Sequence, residues 1–388
     1  MTSAPPVLPL TGLSRSGVIL LTLAGATVVA LGMSSFRSIL APVLFTLVLG
    51  IVANPLRTWI VGRGLPRGLG TIAVILVVVA GLSGFFLVLT IAGAQFLTLL
   101  PQYTDELDSL VANFGVWLSS LGIGTDQVET ITAGLDPGAI LTWGEGLLGG
   151  VFGLVGGLVI IVSMLIVMAA DATYIPTVLK QLGDKQAHLV KAIGGYAVNV
   201  RRYMVVTALL GLAQGFLNTT ALLIMQVPGA VLWGIVAFVC SFIPNIGYFI
   251  AIIPPVVFGL LVGGVPVAIA VIVIYAIINA IIQTVIQPRV LRTAVSLSQT
   301  ITFFSVLFWA AVLGPMGAIL AVPLTLLARA ILIDSNPSAS YWAPALGDIK
   351  DTKVLLRDED AAAKAERATA KAQRSAAKTG SLAKKPSS

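Results

Sequence analysis

Charge, cysteine and histidine are scarce in this sequence. Charged residues make up 10% of it and hydrophobic residues 57%, whereas soluble proteins carry about 25% charged residues. The single cysteine, Cys240, excludes a disulfide framework and a cysteine metal cluster. The single histidine, His188, lies in a charged segment and is expected at the surface. The sequence therefore predicts an all-α, polytopic membrane protein that binds neither a metal nor a cofactor.

Acidic residues are absent from the whole stretch between Lys185 and Asp334. Transporters that couple to protons or sodium commonly use a carboxylate or a histidine inside the membrane. A carboxylate-based antiporter is therefore disfavoured. Sodium binding by backbone carbonyls at broken helices stays open.

Catalytic and nucleic-acid-binding patterns are also missing. The run Gly81-Leu82-Ser83-Gly84 matches a motif of intramembrane serine proteases, whose serine needs a base. The one available base, His188, lies in a predicted cytoplasmic connector. The net charge of +7 resides in loops and the tail, as expected when cytoplasmic loops are positive. Neither an enzyme nor a nucleic-acid partner is predicted.

Long apolar runs predict six full membrane spans, since a span needs about 20 apolar residues. They cover residues 17–33, 39–53 and 69–94 (together 17–94), then 147–170, 204–225 and 265–287. The loop 54–68 carries three arginines and no acid, which places it and the N-terminus in the cytoplasm. The connector 171–202 and the charged, Ala-rich tail 334–388 are predicted cytoplasmic as well, and residues 1–16 a disordered lead-in.

One sizeable polar insert, residues 95–146, separates two of the spans. It holds seven acidic residues and no Lys or Arg, which favours the extracytoplasmic side. Apolar residues spaced by three and four from Phe96 to Leu121 predict an amphipathic helix with a heptad-like seam. Two roles stay open for this helix: it covers its own membrane domain, or it joins subunits of a homo-oligomer.

The region 203–333 contains two apolar stretches that Pro and Gly interrupt. Segments 231–243 and 247–261 flank Pro244-Asn245-Ile246-Gly247, and each is short for a span. Because Pro and Gly disfavour a continuing helix, we predict a re-entrant helical hairpin with its tip there. Residues 299–332, interrupted at Gly314-Pro315-Met316-Gly317, are predicted to form a second one from the cytoplasmic side. Span-hairpin-span-hairpin makes an inverted repeat, typical of transporters that work by alternating access.

Amide side chains recur on two of the spans, although amides in lipid are costly unless paired. Each amide either hydrogen-bonds between helices or lines a solute pathway. Our hypothesis is that both hairpin tips approach one midplane site for a small, uncharged or hydroxyl-rich solute. The candidate binding residues are Gln214, Asn218, Pro244, Asn245, Gly247, Asn279, Gln283, Gln287, Gly314 and Gly317. Arg329, near the end of the last apolar segment, is expected to snorkel toward water.

Three motifs, in this order, resemble the AI-2E family of bacterial transporters. They are Phe242-Ile243-Pro244-Asn245-Ile246-Gly247 with Ile253-Pro254, Asn279 through Gln287-Pro288-Arg289-Val290, and Leu313-Gly314-Pro315-Met316-Gly317 through Pro323. The resemblance covers about residues 17–333. It implies a bacterial inner-membrane permease, with export of the quorum-sensing signal autoinducer-2 as the named activity and sodium/proton antiport assigned to some relatives. The segment Ser296–Thr300 is more polar than the family pattern.

The sequence thus predicts a permease that moves a small polar solute across the bacterial inner membrane by alternating access. Its expected partners are that solute, the lipid bilayer and further copies of the chain. Two alternatives stay open: a sodium/proton-type antiporter, and a non-transporting membrane scaffold.

Overall fold

The computed structural model describes residues 14–133, 157–183, 185–291, 297–339, 344, 356–362 and 364. Within these ranges every regular element is a helix, as predicted. Predictions that fall on residues 1–13, 134–156 and most of the tail lie outside the described residues.

The helices follow one another with short connections. They are α1 (Arg15–Ser35), α2 (Arg37–Gly62), α3 (Arg67–Leu99), α4 (Thr104–Ser120), α5 (Thr125–Ala133), α6 (Gly157–Asp171), α7 (Ile175–Gly183), α8 (Ala187–Ile224), α9 (Ala230–Cys240), α10 (Gly247–Asn279), α11 (Gln287–Leu291), α12 (Gln299–Leu313) and α13 (Pro315–Arg329). Two π-helical segments, Ala280–Ile286 and Ala330–Asp334, continue α10 and α13.

Six of the described helical stretches are long and apolar enough to cross a membrane. They contain α1, α2, α3, α8, α10 and α13, and a seventh arises if α6 and α7, bent by 56°, count as one span. The chain is therefore a multi-pass membrane protein. Three helices extend further than the sequence predicts. Helix α2 continues to Gly62, inside the predicted loop 54–68, α3 continues to Leu99, and α8 begins at Ala187, inside the predicted connector.

The first predicted hairpin tip is a real reversal of the chain. Helix α9 ends at Cys240, residues 241–246 turn, and α10 begins at Gly247. Asn245 takes a left-handed conformation (φ 65°) in this turn, which Asn tolerates better than most residues. The rings of Trp233 on α9 and Phe258 on α10 stack with centroids 5.8 Å apart, so the two helices run antiparallel. We call α9 and residues 247–263 the first hairpin.

Helix α10 itself folds back at Gly264, whose φ of 65° and ψ of −162° are not helical. A Cβ on Gly259 would lie 3.2 Å from Cγ2 of Val271. In a straight helix these two residues would be about 18 Å apart. The second limb of α10 (265–279) therefore returns alongside the first limb (247–263), close to the predicted start of the span at 265.

The chain reverses in the same way between α12 and α13. Gly314 has φ 73° and ψ −157°, almost the same conformation as Gly264, and Pro315 starts α13 at a position that suits proline. Trp309 Nε1 on α12 donates a hydrogen bond to Thr325 Oγ1 on α13 at 3.0 Å. We call α12 and α13 the second hairpin. Re-entry of both hairpins into the membrane, and their inverted repeat, remain predictions.

Glycines let the first hairpin approach α8 closely. A Cβ on Gly215 of α8 would lie 2.7 Å from the carbonyl oxygen of Gly234 on α9, and one on Gly211 would overlap Ser241. Small residues are the usual means by which membrane helices pack at short distance. The contacts pair the end of α9 with the middle of α8, so the tip of the first hairpin lies beside Gly211.

Aromatic rings connect α3 to the first hairpin. The Phe96 ring lies 5.0 Å from Trp233 and 5.0 Å from Phe258, and the Tyr103 ring lies 6.4 Å from Phe258. Tyr103 belongs to the predicted extracytoplasmic insert, so this insert packs at its start on its own membrane domain. Val116 and Trp117, further along, stay exposed.

Arg329 corrects one expectation. Its side chain is 9% exposed, and Nε donates to Oδ1 of Asp334 at 3.3 Å. The guanidinium therefore does not snorkel into water. The π-helical segment that follows brings Asp334 within reach of it.

Candidate functional site

The candidate site lies between α8, the tip of the first hairpin and the π-helical segment. A small cavity there has a volume of about 10 Å³, roughly the room of a single water molecule and far below the roughly 300–1,000 Å³ of most ligand pockets. Its lining consists of Thr207, Leu210, Gly211, Gln214, Ser241, Ile282, Gln283 and Gln287. The lining is uncharged, and three of the ten predicted binding residues, all glutamines, contribute to it.

Gln214 is deeply buried among the polar residues of the cavity: it is 3% exposed, second only to Thr207 at 1%. Its Oε1 accepts no hydrogen bond from any residue that the structure describes. An unpaired buried amide oxygen costs about 1–3 kcal/mol. It is therefore an acceptor that a solute hydroxyl could satisfy.

The π-helical segment positions the other two glutamines. Gln283 lies within Ala280–Ile286, and Gln287 follows directly. Single turns of π-helix within α-helices occur frequently at functional sites. Bonding from i to i+5 also gives more than 3.6 residues per turn, so residues four apart drift less around the helix than in an α-helix. This keeps Asn279, Gln283 and Gln287 closer to one line.

Arginine contacts place the cavity relative to the membrane. Arg202 on α8 donates from Nη2 to the carbonyl oxygen of Val290 at 3.1 Å, only a few residues from Thr207 and Gln287. Since cationic residues favour the cytoplasmic side, the expected position of the cavity is the cytoplasmic half of the membrane. That is lower than the predicted midplane.

The other amides of the two stripes lie beyond the cavity. Asn218 is one helical turn past Gln214 on α8, and Asn279 is one turn before Gln283. Asn218 is 1% exposed. Its Oδ1 and Nδ2 and the Oδ1 of Asn279 have no hydrogen-bond partner in the described part of the chain.

The tip residues of the first hairpin lie close to the cavity but do not line it. Pro244 and Asn245 follow Ser241 by one turn, and Gly247 begins the next helix. Exposed Asn245 accepts a hydrogen bond through Oδ1 from Nε2 of Gln299 at 3.4 Å. Gln299 belongs to the unusually polar segment at the start of α12, which thus meets the first hairpin tip.

The tip of the second hairpin does not line the cavity. Gly314 lies at the far end of α12, about 22 Å along the helix axis from Gln299, which bonds Asn245. Ile243 and Ile246 of the first tip pack against a cluster of Val306, Ala318 and Ala321 on the second hairpin. A solute site shared by both tips stays a prediction.

Sequence reasoning missed Ser241 as a cavity residue. Its hydroxyl donates to the carbonyl oxygen of Phe238 at 2.6 Å, a bond that a serine makes readily within a helix. The sequence signal that could have identified Ser241 is its position one turn before Pro244, at the predicted hairpin tip. No group of three His, Cys, Asp or Glu side chains that could hold a metal occurs among the described residues.

Comparison with known proteins gives a consistent result. A family model described as AI-2E family transporter matches residues 17–336. The chain is 28% identical over 333 residues to "Putative transport protein YhhT" of Escherichia coli (strain K12), which covers 85% of this chain and 94% of that protein.

A second relative carries a more specific name. The chain is 26% identical over 346 residues to "AI-2 transport protein TqsA" of Escherichia coli (strain K12), which covers 89% of this chain and 99% of that protein. The residues that the family model matches include the helices that line the cavity.

Proposed function

The chain belongs to the AI-2E family of transporters, and we propose that it is a permease for a small, polar, uncharged solute. It has a transport role in a membrane, as its relatives do. The proposal adds the solute class, the bacterial cytoplasmic membrane as location, and alternating access as mechanism. Both termini are proposed to lie in the cytoplasm.

The uncharged cavity between α8 and the π-helical segment carries this proposal. Gln214, Gln283 and Gln287 offer amide donors and acceptors, and the lining holds no charged side chain. Amides can pair with hydroxyl and carbonyl groups of a solute but do not balance a full charge. An ion or a charged metabolite would therefore be bound less well than a hydroxylated neutral one.

The small volume of the cavity fits a closed conformation. Alternating access requires the site to open toward one side at a time. The first hairpin contributes Ser241 to the cavity and is linked to α12 through Asn245 and Gln299. We propose that separation of this tip from α12 opens the cavity toward the cytoplasm.

Autoinducer-2 is the first solute to test. One relative is named for its transport, and a small, polyhydroxylated molecule suits an amide-lined cavity. A homo-oligomer joined through the insert, and the antiporter and scaffold alternatives, stay untested; no structural observation favours them over the permease.

The test is flux of autoinducer-2 into proteoliposomes of the purified protein. We expect Gln214→Leu and Gln283→Leu to lower the initial rate by about two- to tenfold each, because a lost hydrogen bond to an uncharged solute costs roughly 0.5–1.5 kcal/mol and 1.4 kcal/mol is tenfold. Gln186→Leu, an exposed glutamine outside the cavity, is the matched control.

Each other outcome has a definite meaning. Equal flux in the wild type and both cavity variants would keep the permease and remove the cavity from the mechanism. Flux that appears only with an imposed pH or sodium gradient would favour the antiporter. No flux of any hydroxylated solute under any gradient would favour the scaffold.

A further inference from the structure

Three polar side chains just beyond the cavity have no visible use in the fold. Asn218 and Tyr275 are each 1% exposed. Among the residues that the structure describes, both amide atoms of Asn218, the Tyr275 hydroxyl and Oδ1 of Asn279 have no hydrogen-bond partner. These unpaired atoms are concentrated on two neighbouring helices.

The packing of α8 against α10 brings the three side chains to one region. The two helices run antiparallel there: Arg202 bonds Val290 at one end, and Leu222 and Tyr275 share an apolar cluster at the other. Gln214 and Gln283 line the same cavity. One turn further, about 6 Å along the axis, α8 presents Asn218 at the level of Asn279, with Tyr275 another turn beyond.

Burial without partners is expensive at this depth of the membrane. Each unpaired polar atom costs about 1–3 kcal/mol, and water is not freely available in the hydrocarbon region. The hydroxyl of exposed Thr220 on α8 donates to the carbonyl oxygen of Phe216, whereas the buried hydroxyl of Tyr196 on the same helix also has no partner among the described residues. The longer amide of Asn218 and the phenol of Tyr275 make no such bond.

We propose that Asn218, Tyr275 and Asn279 form a second solute subsite, one to two turns beyond the cavity. This inference rests on the proposed permease function and extends it. Asn218 offers a donor and an acceptor, Asn279 an acceptor and Tyr275 a hydroxyl. The subsite binds hydroxyl and carbonyl groups of an uncharged solute, which passes to it from Gln214 and Gln283. Tyr275 is thereby a specificity-determining residue.

The first test measures stability without any solute. Asn218→Leu and Tyr275→Phe remove unpaired polar atoms while keeping most of the side-chain volume. We expect the apparent Tm in detergent to stay equal or to rise. Thr220→Val, at an exposed position of α8, is the control. A fall of several degrees in either variant would show that the protein already pairs these atoms and would overturn the proposal.

The second test measures binding apart from transport. Autoinducer-2, ribose and erythritol are each added to the wild type, to the two variants and to Thr220→Val. We expect at least one of the three solutes to raise the Tm of the wild type and of Thr220→Val. That rise is expected to shrink by more than half in Asn218→Leu and Tyr275→Phe.

The outcomes separate this proposal from the proposed function. A rise that persists in both variants, or a wild type that none of the three solutes stabilises, would overturn the subsite. A solute that stabilises the wild type but not the variants, and yet shows no flux in proteoliposomes, would support the subsite while removing the permease function.

Discussion

Two glycines make the reversals of the hairpins sterically possible. A Cβ on Gly247 would overlap the carbonyl oxygen of Cys240, and a Cβ on Gly317 would overlap that of Trp309. In both cases the obstacle is backbone, which cannot move aside as a flexible side chain can. Each hairpin therefore has a glycine in the first turn of its second helix because the two backbones touch there.

Replacement of Gly247 by alanine is expected to destabilise the first hairpin. Overpacking a tight site costs about 1–3 kcal/mol or more, and backbone displacement at Gly247 would also shift Asn245. We expect a lower apparent Tm in detergent and a lower yield of folded protein.

Gly84→Ala is the matched control for this experiment. Nothing lies within 4 Å of a Cβ at Gly84, and alanine in a helix is favoured over glycine by about 0.5–1 kcal/mol. Its Tm is expected to stay equal or to rise slightly. A Gly247→Ala protein as stable as Gly84→Ala would show that the tip is not packed as described.

Side-chain type singled out the glutamines that line the cavity, but their binding of a solute stays a prediction, and burial could not be read from the sequence. The spacing of Gln214, Gln283 and Gln287 along apolar helices indicated an internal face, and these residues do line one cavity. The burial of Arg329 depends on the fold of the residues that follow it, since a π-helical segment brings Asp334 within hydrogen-bonding distance of the guanidinium. Asn218 was already among the predicted binding residues, whereas Tyr275 joins the candidate site only once its unpaired hydroxyl is known.

At the scale of elements, a proline in α2 is matched by an arginine in α8. Pro55 has no N–H, so the carbonyl oxygen of Ile51, four residues earlier, loses its helical donor. Arg201 supplies a substitute, with Nε donating to that oxygen at 3.2 Å. The bond joins the first group of spans to the helix that lines the cavity.

This pairing predicts a specific coupling between two substitutions. Arg201→Met alone leaves the Ile51 oxygen without a donor, at a cost of about 1–3 kcal/mol. In a Pro55→Ala background the new N–H of residue 55 takes over, so the same arginine substitution is expected to cost at least about 1 kcal/mol less.

A double-mutant cycle measures the coupling, with the free energy of unfolding of each variant determined by titration with SDS. Arg202→Met, which removes a bond to a different helix end, is expected to cost the same in both backgrounds. Equal costs for Arg201→Met with and without Pro55 would mean that Arg201 does not replace the missing donor.

Several helix ends in the second half of the chain were predictable, because Pro and Gly act locally. The turn at 241–246, the break at Gly314 and the start of a limb at 265 all coincide with such residues. The end of α2 at Gly62 was not predictable, since this helix continues through Pro55. The start of α8 at Ala187 was not predicted, since residues 187–202 are charged enough to resemble a loop. The π-helical segment had no sequence signal, because it depends on one additional residue being accommodated between neighbouring helices.

For the molecule as a whole, charge distribution predicts one orientation in the membrane. Basic residues without acids occupy 54–68, and acids without basic residues occupy 95–146. The difference places the first segment inside and the second outside. The order of the described spans is compatible with both termini inside. The orientation of the protein in the membrane, however, is predicted from the charge distribution alone.

Single cysteines test this orientation. With Cys240 replaced by alanine, Ser120→Cys is expected to react with a membrane-impermeant maleimide in intact spheroplasts. Gln186→Cys and Asn336→Cys are expected to react only after permeabilisation. These residues are exposed on the protein, so a failure to react reports the side of the membrane. Labelling of Gln186→Cys from outside would contradict the predicted topology.

Because of the π-helical segment Ala280–Ile286, the geometry of the cavity depends on the number of residues in this segment as well as on their identity. A π-helix differs from an α-helix by a residue inserted into an otherwise regular ladder of hydrogen bonds. An in-frame loss of one codon within 280–286 would let the ladder close as an α-helix and turn everything after it by about 100°. Gln287 would then leave the cavity and Arg289 would change faces, although no amide or cation had been substituted. In sequence alignments of this segment, insertions and deletions are therefore as informative about the cavity as substitutions are.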